Sequence, residues 1–253
     1  MLEHIEDQLI FPSPPAVIGT NADCLDDETI AWYYFLADIA ARHLINRILD
    51  AKEDFAGCPT EGQARSLLGA YGLFESQLDD WYQSLPSEIS FPTPDASISA
   101  EPNLFKRILR SRYLFIRELL CRPFVRLCLS HALDLPDDLV DRITATASLG
   151  LQYCAWRLQA VDRMTKLDHG LWIWVRNNTA CSMILIGAAR SHKFPSLVAA
   201  HQLLLPENWR EVVVSFLHGL ERFAGETRGG VANCYRLLCW SLDDFQPESP
   251  DRT

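Results

Sequence analysis

No stretch of this 253-residue sequence is long and apolar enough to read as a membrane span. The longest uncharged run with real apolar content, Asn177 to Ala189, falls well short of the roughly 20 residues that a helix needs to cross a bilayer. Positive charge is also scarce. Against 33 Asp and Glu stand 23 Lys and Arg, for a formal net charge of -10 and a pI near 5.1. Such a field repels phosphate backbones and anionic lipid surfaces. The chain is therefore expected to be soluble, without membrane partners and without direct nucleic-acid binding. Residues Met1 to Asp7 are acidic where an export or transit signal is basic. A nuclear or cytoplasmic protein is expected.

Signatures of common chemistry are missing as well. There is no Gly-x-Ser-x-Gly elbow, no glycine-rich phosphate loop, no dinucleotide fingerprint and no His-Glu-x-x-His pair. The seven histidines are scattered. The closest cysteine pairs, Cys121 with Cys128 and Cys234 with Cys239, read as core thiols rather than zinc half-sites. No metal and no cofactor is expected. Nor does any segment alternate apolar and polar residues as a half-buried strand does.

What is present is a globular composition, 48% hydrophobic and 22% charged, with apolar residues recurring at helical spacing. The pattern predicts helices over about 27–49 and 63–84 and a third opening at Pro102-Asn103, with a long one from Asp137 through Met164. Further helices are expected over 171–189, 195–204, 206–222 and 231–244. Pro123 is expected to kink or break the third. Residues 1–25, with Phe11-Pro12-Ser13-Pro14-Pro15, read as an extended lead-in, 26–245 as one all-α domain, and 246–253 as a frayed tail.

Three features invite a functional reading. Asp137-Asp138-Leu139-Val140-Asp141 has the carboxylate spacing that bridges magnesium to a diphosphate. It follows Pro136 at a helix start, where acids offset the helix dipole, and the nearest second motif, Asn178 with Ser182, has Ile186 in place of an acid. Capping is the better reading. Lys106, Arg110 and Arg117 share one helix face, as a basic stripe or as ion-pair partners. Trp32-Tyr33-Tyr34-Phe35, Trp81-Tyr82, Trp156 and Trp172-Ile173-Trp174 either fill a core or line an apolar pocket.

Four segments in order resemble the regulatory, middle homology region of fungal zinc-cluster transcription factors. They are Trp32 through Ile48, Leu78 through Pro86, Arg112 through Phe124 with its Arg-Pro-Phe ending, and His169-Gly170-Leu171-Trp172 through Ile186. The resemblance implies an all-helical fold used in sensing, self-association and control of transcription, in a fungal secondary-metabolite pathway. The six-cysteine cluster that binds two zinc ions in that family has no counterpart here. Two functions follow: a regulator that does not itself bind DNA, or a metal- and cofactor-independent enzyme of the cyclase or pericyclase type on the same fold. Either would take an apolar small molecule, and the regulator would also engage protein partners or itself. Candidate ligand-binding residues are Trp32, Tyr113, Arg117, His169, Trp172, Trp174 and Asn177; catalytic residues stay unassigned. Arg122, directly before Pro123, is placed to satisfy the carbonyl that the proline leaves without a helical donor.

Overall fold

The computed structural model describes residues 27–51, 58–93, 101–130, 133–160, 171–191, 199, 202–225 and 229–243. These form seven α-helices and no strand. They are α1 (Asp27–Asp50), α2 (Glu61–Gln83), α3 (Leu104–Ser130), α4 (Asp137–Gln159), α5 (Leu171–Ser191), α6 (Trp209–Leu220) and α7 (Gly230–Asp243), with a 3-10 turn at Glu221–Phe223 after α6. The expected lead-in and tail lie outside the described residues, as does most of the helix expected over 195–204.

Local chemistry sets the helix starts. Asp27 and Glu28 occupy the first turn of α1, and Asp137 and Asp138 that of α4, where carboxylates face the positive end of the helix dipole. Both α4 acids are exposed, in keeping with the capping reading. At α2, Thr60 accepts from the Gln63 backbone N–H at 3.4 Å while the Thr60 N–H donates to the Gln63 side chain at 2.9 Å, a reciprocal cap. Pro123 does not break α3, which runs unbroken to Ser130. Its flanks Leu119, Leu120, Phe124 and Val125 are all buried, and that packing outweighs one missing backbone bond.

Two apolar clusters share α3 as their wall. One joins α1, α2 and most of α3 with Tyr153 and Trp156 of α4, around Ala41, Leu78, Leu109 and Ile116. The other joins α4 to α7 with Phe124, Val125 and Cys128 of α3, around Ile143, Leu151, Leu185 and Phe216. The segment after α2 folds into the first cluster. Ile89 and Phe91 are buried there, and the Tyr82 hydroxyl donates to the Phe91 carbonyl. The Trp81 indole donates to the Ala37 carbonyl at 3.0 Å, tying α2 to α1. Among the described residues no helix is long and apolar enough to cross a membrane.

Candidate functional site

The centre of α3 carries two charged residues into the interior, one on each side. Arg117 is 8% exposed and Glu118 1%. The Arg117 guanidinium donates to Glu75 at 2.6 Å, to Asp79, and through Nε to the Tyr113 hydroxyl at 3.0 Å, and it lies 5.2 Å from the Tyr113 ring centre. Tyr71 donates to the same Glu75 oxygen at 2.8 Å. Burial works against the Arg117 charge, but Tyr153, Tyr113 and Asp79 together outweigh it, so the guanidinium is held protonated above its usual range. Burial also pushes the Tyr71, Tyr113 and Tyr153 phenols up. All three stay neutral near pH 7, Tyr71 donating to Glu75 and Tyr113 accepting from Arg117.

On the other side, Glu118 accepts both prongs of Arg122, at 2.8 and 2.7 Å, and Nη1 of Arg157 at 2.7 Å. Arg122 thus goes to the carboxylate one turn back, and not to the carbonyl that the sequence pattern pointed to. A bidentate charged pair is stronger than a bond to a neutral carbonyl. Arg157 also lies 4.9 Å from the Phe115 ring centre and donates to Cys181 Sγ at 3.3 Å.

Glu118, Cys154 and Cys181 bring ligand atoms within 4.8 Å of one another, which invites a metal reading. The electrostatics oppose it. Arg157 Nη1 sits within hydrogen-bond reach of both the carboxylate and a sulfur, so a guanidinium already fills the cation's place. A hydrogen bond with Cys181 and then burial hold the Cys154 thiol well above its ordinary range, and burial pushes Cys121 and Cys128 up to about 12. Thiols in that state are poor nucleophiles.

Thiol reactivity should follow this division. Cys58 is exposed, Cys121, Cys128, Cys154 and Cys181 are buried, and none of these is in a disulfide. Alkylation of the native chain followed by peptide mapping is expected to label Cys58 at once and those four only after unfolding. Labelling any of the four at the rate of Cys58 would contradict the buried thiol core.

The second component is an apolar cavity of about 50 Å³ where α1, α2 and α3 meet at Pro123. Its walls are Ile48, Leu49, Leu67, Ala70, Tyr71, Phe74, Leu119, Leu120, Pro123 and Phe124, with Ala51 and Arg122 completing them. Leu49 and Ala51 are exposed, so the space opens at the end of α1. A broader groove of about 690 Å³ lies along α4, between Asp141, Thr144, Ser148 and Gln152 on one side and residues 202, 204, 205 and 206 on the other. The Ser148 hydroxyl accepts the Leu204 N–H there at 3.0 Å.

The candidate ligand-binding residues are distributed, and none of those described lines either space, whereas Arg122 stands at the cavity and Asp141 of the acidic motif at the groove. Tyr113 and Arg117 do come together, as partners in the interior. Trp32 is half-buried on α1 and stacks on Phe35 at 5.8 Å. On α5, Trp174 packs edge-on against Phe216 at 5.4 Å and Asn177 is half-buried. Trp172 is exposed but lies on the start of α7, where a Cβ at Gly230 would come within 2.7 Å of its ring. His169 lies outside the described residues. Asn178 and Ser182 are bonded within α5, to the carbonyls of Trp174 and Asn178, so they offer no second metal face. The Glu118–Arg122 pair had a legible signal, opposite charges four apart on a helix. Arg157, 39 residues away, had none. No family model, no curated protein and no solved structure matches this chain.

Proposed function

We propose that this chain is a ligand-sensing regulatory domain of the fungal transcription factor type, which takes an apolar small molecule at the α1–α2–α3 cavity and acts through protein partners. The supporting observation is the chemistry of that cavity. Its walls are hydrocarbon except for one phenol, Tyr71, and one guanidinium, Arg122, the latter engaged by Glu118. The phenol is held protonated by burial and the nearby thiols are held neutral. Such walls bind and orient better than they ionise a substrate, which favours sensing over conversion. At about 50 Å³ the space admits the end of an aliphatic chain or a small ring edge, well below the roughly 300 Å³ at which drug-sized pockets begin. The recognised molecule is therefore one with a slim apolar terminus, the rest of it lying over the exposed end of α1. The four resembling segments support the regulatory role, in the nucleus or cytoplasm and within a secondary-metabolite pathway.

Medium-chain alkyl carboxylates and their methyl esters are suitable probes. Saturable quenching of tryptophan fluorescence is expected, lost in Ala70→Phe, which fills the cavity from a half-buried position. Fusion of the full chain to a heterologous DNA-binding module should give reporter output that changes with the probe in the parent fusion and not in Ala70→Phe. Binding unaffected by Ala70→Phe would remove the cavity from the reading. Product detected by mass spectrometry would replace sensing with catalysis.

A further inference from the structure

The cavity where α1, α2 and α3 meet is apolar inside, but its rim carries a cation. Arg47 lies in the last turn of α1, one turn before Ala51 of the cavity wall, and residues four apart on a helix are neighbours on one face. Its guanidinium carbon stands 5.8 Å from the ring centre of Phe74, which lines the same cavity. The charged head therefore sits beside the opening at the exposed Leu49 and Ala51.

Two other polar groups stand at this space, and both are committed. The Tyr71 hydroxyl donates to Glu75, and Arg122 gives both prongs to Glu118. Arg47 differs. Its side chain is exposed, and among the described residues no carboxylate bonds to it. A guanidinium over a ring keeps its edge N–H donors, and these match a carboxylate two at a time.

We infer that the molecule taken at this cavity is a single-chain anionic amphiphile, with its apolar end between α1, α2 and α3 and its carboxylate on Arg47. This rests on the cavity as the ligand site and adds the class of head group. Hydrocarbon walls alone do not favour an alkyl carboxylate over its ester, whereas a cation at the rim does. Opposing fields keep that preference small. Asp50, exposed three residues on, and the net charge of -10 both repel an anion, and an ion pair in contact with solvent contributes little. Arg47 is expected to tighten carboxylate binding about fivefold.

Decanoate and methyl decanoate, each titrated against the full chain by tryptophan fluorescence at neutral pH, test it. Arg47→Gln is expected to weaken decanoate about fivefold and to leave methyl decanoate unchanged. Arg47→Lys, which keeps the charge, should retain most of the decanoate affinity. Each probe is compared with itself across the variants, so the greater hydrophobicity of the ester does not enter. Decanoate indifferent to Arg47→Gln, with both probes binding, overturns the head-group assignment and leaves the cavity standing. An equal loss of both probes also overturns it, because the arginine would then only support Phe74. Failure of either probe to bind the parent chain, or binding of both that survives Ala70→Phe, removes the cavity itself and the assignment with it.

Discussion

Glu118→Ala is expected to lower the free energy of unfolding by about 3 to 5 kcal/mol, a fifth or more of the roughly 5 to 15 kcal/mol that holds a domain of ordinary stability together. The size comes from what is left behind. Arg157, with a side chain only 10% exposed, keeps its charge when Glu118 is removed and has neither enough water nor, among the described residues, another carboxylate bonded to it to compensate. Arg122 is better placed, because its side chain is 35% exposed and water takes over. The reverse truncation is therefore milder. Arg122→Ala leaves Glu118 still bonded to Arg157 and should cost about 1.5 kcal/mol, the low end for a lost charge-assisted hydrogen bond. Urea denaturation followed by circular dichroism measures all of these. A further arm separates desolvation from attraction: Glu118→Leu with Arg157→Leu removes both charges, and the double variant should be destabilised by less than the sum of the single changes. An unchanged midpoint in Glu118→Ala would mean that water reaches the pair and that it is no interior network.

How much of this was legible in the residues differs by level. Helix type and the starts of α1, α4 and α5 follow from apolar spacing and from local cues such as Pro136 before Asp137, because these depend on neighbours along the chain, whereas α3 runs past Pro123 and α4 stops at Gln159, short of Met164. The ends of α1 and α7 come within a residue of expectation. The partners of Arg117 and Glu118 depend on which turn of α2, α4 or α5 faces which turn of α3, and spacing within one helix carries no such information. Arg117 was named as a candidate ligand-binding residue and as a member of a basic stripe or ion-pair set, and its role as the hub of Glu75 and Asp79 needed the fold. The aromatics show the same limit. Trp174 and Trp172 are two apart on one helix, and the first is packed against α6 while the second lies at the surface over Gly230. Large rings at helical spacing told that surfaces would be covered, and not that they would converge on one pocket.

The contact between α3 and α4 supplies a prediction that local propensity alone would get backwards. Alanine is the better helix former by about 1 kcal/mol, so Gly150→Ala, inside α4, should stabilise the chain if nothing stood against it. Something does. A Cβ at position 150 would lie 2.6 Å from the Cys121 Cβ and 3.1 Å from Val125 Cγ2, against the roughly 3.5 to 4.0 Å at which carbon atoms rest in contact. Both Cβ atoms are fixed to helix backbones, so no rotamer change relieves the first clash and the two helices must move apart. That movement would open the seam holding Phe124, Leu151 and Cys154, all essentially fully buried. Overpacking costs about 1 to 3 kcal/mol, and with a backbone-fixed carbon as the obstacle the upper end applies, which outweighs the propensity gain and leaves the variant destabilised by about 2 kcal/mol. Gly72→Ala is the control. It is a helical, exposed glycine of α2 with nothing within 4 Å of the added methyl, and it should stabilise by roughly 0.5 to 1 kcal/mol. Because the obstacle is the Cys121 Cβ itself, Cys121→Gly in the Gly150→Ala background should recover part of the loss, whereas Cys121→Ala, which keeps that carbon, should not. Thermal denaturation of the four variants decides the matter, and a Gly150→Ala chain as stable as Gly72→Ala would mean that α3 and α4 do not approach at this point.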